Sequence, residues 1–209
     1  MTADHVWYAA YGSNMHAARL RYYLAGGRPP GALREYPGCR DPSAPADVRP
    51  AILPGGVYFA LESRAWTGGM AFYDPDLPGR AAARAYLITL AQFSDIAAQE
   101  MYTATGRDLD LDDVLANGRS RLGPGRYETL VHAGALDGHP VLTFTAPWRA
   151  TEVDCTPPAP AYLGMLASGL REAHGWTGAE IAEYLGDLPG VRGNWSAADL
   201  ADLTERRTP

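Results

Sequence analysis

Lysine is absent from this chain: all 18 basic side chains are arginines. No P-loop lysine is available to reach a nucleotide's phosphates, and no side-chain amine can form a Schiff base. The bland source of this bias, given the abundance of Ala, Gly and Pro, is a GC-rich coding style that points to a bacterial origin; the chemical exclusion holds whatever the cause. Cysteine is nearly absent too. Cys39 and Cys155 lie far apart in the sequence and fit neither a zinc-ligand spacing nor a disulfide framework, so free thiols in a reducing cytoplasm are expected. His5, His16, His132, His139 and His174 include no pair at the i, i+4 spacing of a helical zinc site. The acidic run Asp108–Asp113 lacks the glycine and terminal glutamate of an EF-hand and reads as a solvated helix start. No metal or cofactor is expected.

A basic footprint is missing as well. The formal net charge is −6 and the pI about 5.3, which argues against nucleic acid or an anionic membrane surface as partner and for a small molecule. No apolar run approaches the ~20 residues of a membrane span, and Met1 to Tyr8 carry no basic n-region followed by an apolar stretch, so a cytoplasmic protein is the expectation.

What is present suffices for one substantial core: 209 residues, 46% hydrophobic and 10% aromatic, predict a single domain over 1–209 with elaborated loops. Apolar periodicity predicts strands over 6–11, 56–61 and 82–89, a turn followed by a strand within 63–73 that ends at Asp74-Pro75-Asp76, and a hairpin of 127–135 with 140–145 about an Asp137-Gly138 turn. Helical spacing predicts a first helix that follows Ser13 or Asn14 and runs through Arg19, Leu20, Tyr22 and Leu24 to Gly26-Gly27, and further helices over 92–101, 109–115, 162–174, 177–185 and 196–204; Thr177 and Glu180 stand at capping-box spacing, and Ser196 is a second cap. From Arg28 to Pro54 prolines and glycines predict a long connection with little regular structure. Strands grouped before helices predict an α+β domain.

One junction stands out. Tyr8-Ala9-Ala10-Tyr11-Gly12-Ser13-Asn14-Met15 is an apolar, aromatic run that stops at Gly-Ser-Asn just before an Arg-rich helical pattern. A strand, a tight turn and a helix capped by Ser13 or Asn14 would leave backbone N–H groups and the positive end of the helix dipole facing a small anion such as a carboxylate. Ser13 occupies an elbow-like turn yet lacks the flanking glycines of a Gly-x-Ser-x-Gly nucleophile, which favours binding through the backbone of Gly12, Ser13 and Asn14, although a purely structural turn fits as well. Glu100 ends a mostly apolar helix. It is either a solvated glutamate at a helix end or a desolvated carboxylate able to exchange protons near neutral pH.

These residues resemble a known family. Tyr8–Met15 resembles the Tyr-Gly-Ser-Asn signature of γ-glutamylcyclotransferases, a fold shared with AIG2-like and butirosin-pathway proteins. Trp66-Thr67-Gly68-Gly69-Met70-Ala71 resembles the family's Trp-x-Gly-Gly-x-Ala, Gln99-Glu100 its catalytic glutamate, and Pro158-Ala159-Pro160-Ala161-Tyr162 its Pro-Ser-Pro-x-Tyr, all in the family's order. The resemblance implies a small, mostly antiparallel, barrel-like sheet with peripheral helices. It implies that Tyr8, Ala9, Ala10, Tyr11, Gly12, Ser13 and Asn14 hold the amino-acid end of a γ-glutamyl group, with Tyr162 lining the pocket. Glu100 would then move a proton as the group closes to 5-oxoproline and releases an amine or amino acid. The family's Leu-Asp-x-x-Glu-Gly is here Ile96-Ala97-Ala98-Gln99-Glu100-Met101, without the aspartate and glycine, and the stretches 28–54 and 103–126 are candidates for a lid. The alternatives are a non-catalytic ligand-binding module on the same fold and a Ser13-dependent amidohydrolase.

Overall fold

The computed structural model describes residues 4–29, 35–63 and 66–205. In chain order the elements are β1 (His5–Ala10), a 3-10 turn (Ser13–Met15), α1 (Ala17–Ala25), β2 (Asp47–Pro54), β3 (Gly56–Ala60), β4 (Met70–Asp74), β5 (Arg80–Thr89), α2 (Leu90–Glu100), α3 (Asp112–Asn117), β6 (Arg119–Arg121), β7 (Thr129–Leu136), β8 (His139–Thr145), a second 3-10 turn (Ala150–Glu152), α4 (Pro160–His174), α5 (Gly178–Gly186) and α6 (Ala197–Glu205). Six strands form one sheet in the order β2-β5-β1-β8-β7-β6, and β3 pairs with β4 separately. The α+β expectation is met, and the sheet is mixed: β1 runs antiparallel to β5 but parallel to β8.

The described residues pack as two compact units interleaved along the chain. The first gathers the described residues within 1–10, 18–51 and 84–147, the second those within 11–17, 52–83 and 148–209.

In the first unit β1 is buried on both faces from Val6 onward. Its even-numbered residues Val6, Tyr8 and Ala10 join Tyr86, Ile88, Phe93, Ile96, Ala97, Leu130, Leu142 and Phe144 in one core, as the two-residue period of a strand requires. The β7–β8 hairpin turns on Asp137 (φ 49°) and Gly138 (φ 81°), the paired left-handed residues of the tight turn foreseen from Asp-Gly. Helix α2 covers this core. Its entry is a capping box: the Thr89 hydroxyl accepts from Gln92 N at 3.1 Å, and Gln92 Oε1 accepts from Thr89 N at 3.0 Å.

The described part of the 28–54 connection, from residue 35 onward, is more ordered than its composition predicts. Its end is β2, an edge strand, the one kind of strand that tolerates Pro50 and Pro54, and its residues 38–43 are held against α2. The 103–126 stretch is likewise anchored. Gly106 N donates to Asp95 and Leu109 N to Ser94, both at 2.9 Å; Leu111 and Val114 are buried in the core, and β6 extends the sheet.

In the second unit α4 begins with Pro160 at its first turn and ends at Gly175 (φ 67°). Thr177 and Glu180 form the expected capping box of α5, and Ser196 with Asp199 makes the corresponding pair ahead of α6. Gly169 lets α4 lie against the first 3-10 turn: a Cβ there would stand 2.7 Å from the Met15 Cβ.

Candidate functional site

Gly12 precedes the 3-10 turn with φ −108° and ψ −149°; Met15 N donates to Gly12 O at 3.0 Å and His16 N to Ser13 O at 3.2 Å. The expected geometry is thus corrected. Ser13 and Asn14 lie inside a short 3-10 turn rather than at the cap of α1, which starts only at Ala17. The first amide of α1, Ala17 N, donates instead to Glu172 Oε2 at 3.1 Å, so a carboxylate from α4 supplies the anion that favours a helix N-terminus. Ser13 is half-buried and Asn14 buried, while the Tyr11 ring is buried 5.8 Å from that of Tyr73.

Within the second unit, Tyr11–Met15 of the first motif meets the Trp66–Ala71 and Pro158–Tyr162 segments; Tyr8–Ala10 belong to the first unit. Gly69 N donates to Pro157 O at 2.8 Å, and Gly68 bridges Pro158, so the Trp66–Ala71 segment is laid along the approach to α4. Gly69 is dictated by that approach, since a Cβ there would stand 2.0 Å from Thr156 O. Gly69→Ala is expected to lower stability by about 1–3 kcal/mol, read by urea unfolding, as overpacking forces two backbone segments apart; an unchanged midpoint would contradict the close approach. Tyr162, two residues into α4, is buried. Its hydroxyl accepts from Ala71 N at 3.4 Å, its ring tilts over Trp66 at 5.4 Å and meets Phe59 edge-on at 6.1 Å. A Cβ on Gly12 would lie 3.4 Å from the Tyr162 hydroxyl, so the Gly-Ser-Asn turn and Tyr162 are neighbours.

The fourth segment belongs to the first unit. Glu100, the last residue of α2, is half-buried, between the two environments its sequence position allowed, and follows a run from Gln92 to Gln99 that is buried throughout. Tyr23 of α1 donates its hydroxyl to Glu100 Oε1 at 2.5 Å. Burial, then the Glu100 carboxylate and Tyr36, push the Tyr23 phenol well above its ordinary range against the pull of Arg19, so it keeps its proton and stays a donor. Tyr23 was not among the residues picked out from sequence, because nothing in a helical repeat marks which aromatic hydroxyl meets a carboxylate 77 positions away.

A buried polar stripe holds α2. Gln92, Asp95 and Gln99, spaced three and four apart, fall on one helical face. Gln92 Nε2 donates to Ser43 O at 3.0 Å and to Asp41 O at 3.2 Å, and Gln99 Nε2 donates to Tyr23 O at 3.0 Å. The fully buried Asp95 side chain accepts from Arg40 N at 2.8 Å, Arg40 Nε at 2.9 Å and Gly106 N at 2.9 Å. Burial raises the Asp95 carboxyl, but these donors outweigh it and leave the group below its usual range.

Of the other expected binding residues, Tyr8 is a core side chain, stacked on Phe144 at 5.2 Å and 6.0 Å from Phe93, and Ala9 and Ala10 are buried in β1 opposite Ala85 and Arg84. Among the described residues no group of three or more His, Cys, Asp or Glu is placed to hold a metal ion, and no helix is long and apolar enough to cross a membrane.

No protein-family model matches the sequence. Over 198 residues the chain is 31% identical to a protein from Arabidopsis thaliana named histone deacetylase 5; the match covers 86% of this chain, which spans 30% of the length of that relative. Two solved structures share the fold. An uncharacterized protein from Homo sapiens aligns with a TM-score of 0.52 and 16% identity over 98% of this chain and all of its own. A γ-glutamyl cyclotransferase aligns with a TM-score of 0.51 and 15% identity, over 96% of this chain and 98% of its own. The chain has the γ-glutamyl cyclotransferase fold.

Proposed function

We propose that this protein is a γ-glutamyl cyclotransferase, closing a γ-glutamyl group to 5-oxoproline with release of an amine or amino acid. The observation that carries the reading is the Glu100 carboxylate at the end of buried α2, accepting from the Tyr23 hydroxyl, on a fold shared with a γ-glutamyl cyclotransferase.

The reaction asks for little beyond placement and one proton transfer. A substrate's α-amine is an ammonium at neutral pH and cannot attack until it loses a proton. Ionised Glu100 accepts that proton; the freed amine nitrogen bonds to the γ-carbonyl carbon, closing a five-membered ring. The carbon–nitrogen bond to the departing amine then breaks as Glu100 returns the proton to the leaving nitrogen, and the ring nitrogen gives up its second proton to the released amine, which departs as an ammonium, so protons and electron pairs balance over the cycle. General acid–base catalysis supplies about 10²–10⁴-fold, and holding the two ends of one substrate in reacting geometry supplies more.

In this reading Gly12, Ser13 and Asn14 bind the amino-acid end of the substrate, beside Tyr162. Tyr11 and the residues Tyr8 to Ala10 shape that segment from within rather than by side-chain contact, since Tyr8 is committed to the core. The test is 5-oxoproline release across a panel of γ-glutamyl amino acids, peptides and amines. Turnover of at least one class is expected, and Ser13→Ala should retain activity within about tenfold, because Ser13 binds and does not form an acyl-enzyme. Complete loss in Ser13→Ala with a stable fold would favour the amidohydrolase, and binding without turnover across the panel would favour a ligand-binding module.

A further inference from the structure

Glu100 is the last residue of α2, half-buried, and its carboxylate accepts from the Tyr23 hydroxyl. A proton shuttle that must reach two different nitrogens in one cycle needs that carboxylate held to a narrow orientation. We infer that Tyr23 is the positioning residue that holds it, and that Arg19 and Tyr36 brace Tyr23 for the task. The role of Glu100 is taken from the proposed function; the part assigned to Tyr23 is new.

Four side chains of one unit carry the inference. Tyr23 is 3% exposed and sits among Leu20, Leu24 and Tyr36 in the core, where a phenylalanine would fill the same space. What the tyrosine adds is a hydroxyl, and it is spent on Glu100 Oε1 at 2.5 Å. The ring has little freedom. Tyr36 packs on it with centroids 4.5 Å apart, and the Arg19 guanidinium lies 5.7 Å from the Tyr23 centroid and 4.9 Å from that of Tyr36 while donating to the Tyr36 hydroxyl. Arg19 and Tyr23 are four apart on α1, one above the other on the same helical face. Gln99, the neighbour of Glu100, donates to the backbone carbonyl of Tyr23 at 3.0 Å, so α1 and the end of α2 are joined at the backbone as well as through the phenol. The donor is also chemically suited: a phenol that stays protonated can only give its hydrogen to the carboxylate, and a donor to the charged form stabilises that form.

The experiment pairs Tyr23→Phe with Glu100→Gln. Tyr23→Phe is expected to lower kcat about 10-fold or more with KM changed by less than about threefold, and to move the acid limb of the pH–kcat profile upward, because a carboxylate that loses a donor protonates more readily. A purely packing role for Tyr23, which phenylalanine would fill equally, would leave kcat and that limb in place. Carboxyl ¹³C NMR, with the Glu100 signal assigned by its loss in Glu100→Gln, reads the same bond without any substrate, and its titration midpoint should rise in Tyr23→Phe. If Tyr23→Phe does not fold, Arg19→Gln keeps the hydroxyl but removes the brace, and should move limb and midpoint in the same direction by less. Unchanged kcat, limb and midpoint in the folded variants, with Glu100→Gln inactive, overturn the role of Tyr23 and leave the proposed function standing. Full activity in Glu100→Gln overturns the proposed function, and the NMR midpoint then still decides whether Tyr23 governs the carboxylate.

Discussion

Glu100→Gln is expected to lower 5-oxoproline release by about 10²–10⁴-fold while leaving ligand binding within a few-fold of the parent protein. The amide keeps the volume of the carboxylate and can still meet the Tyr23 hydroxyl through its carbonyl oxygen, so α2 and its neighbours keep their packing. What it cannot do is take the proton from the substrate's ammonium, and ring closure then waits on a rare unprotonated substrate. Isothermal titration of a non-cyclising γ-glutamyl analogue, run beside the turnover assay, separates the two effects. Wild-type turnover in the folded Glu100→Gln protein contradicts the mechanism, whereas loss of binding together with turnover would mean that Glu100 holds the substrate rather than moving its proton.

Asp95→Ala is expected to cost on the order of 3 kcal/mol of stability near neutral pH. The side chain is fully buried and accepts two backbone N–H groups, Arg40 N and Gly106 N, along with the Arg40 guanidinium. Hydrogen bonds to a charged group contribute about 1.5–3 kcal/mol each, and two part-buried backbone amides would lose their acceptor. Arg40 is 37% exposed and shares its charge with Asp108, so the ion pair itself adds less than its short distance suggests. The sign of the pH dependence follows from the lowered Asp95 carboxyl. A depressed folded-state value stabilises the fold above the unfolded carboxyl's titration, about pH 4, and that contribution is lost as pH falls through the lower folded value. Chemical denaturation from pH 7 downward should therefore show a gap between parent and Asp95→Ala that is full above about pH 5 and closes in acid. A constant gap would show that Asp95 acts through packing alone.

Most elements were legible from apolar periodicity, because the residues that mark them are the ones the core buries: Phe93, Ile96 and Ala97 on α2, or Val6, Tyr8 and Ala10 on β1. The Asp137-Gly138 turn and the Thr177–Glu180 capping box were legible for a different reason, since their chemistry is local and needs no tertiary partner. The departures share the opposite cause. β2 carries Pro50 and Pro54 and shows an edge strand's exposure, so composition masked it. The cap of α1 comes from Glu172, 155 positions away, which no local pattern encodes. Gln92, Asp95 and Gln99 look like the wet face of an amphipathic helix and are dry, because the backbone of residues 38–43 needs acceptors and donors and finds them there. At the candidate site, motif order alone indicated Gly12 to Asn14, Trp66 to Ala71, Tyr162 and Glu100, and the structure brings the first three groups together around Tyr162. Tyr23 could not be read in advance, since its importance lies in the single hydroxyl that a core position would otherwise not require.

The central claim is that the substrate's own α-amine is the nucleophile. A γ-glutamyl substrate carrying ¹⁵N at that amine, incubated with the wild-type protein and followed by NMR, tests it most directly. Intramolecular attack yields 5-oxoproline with ¹⁵N as its ring nitrogen, in amounts equal to the amine released. ¹⁵N-labelled free glutamate in place of 5-oxoproline would show that water attacks the γ-carbonyl, and would contradict this account.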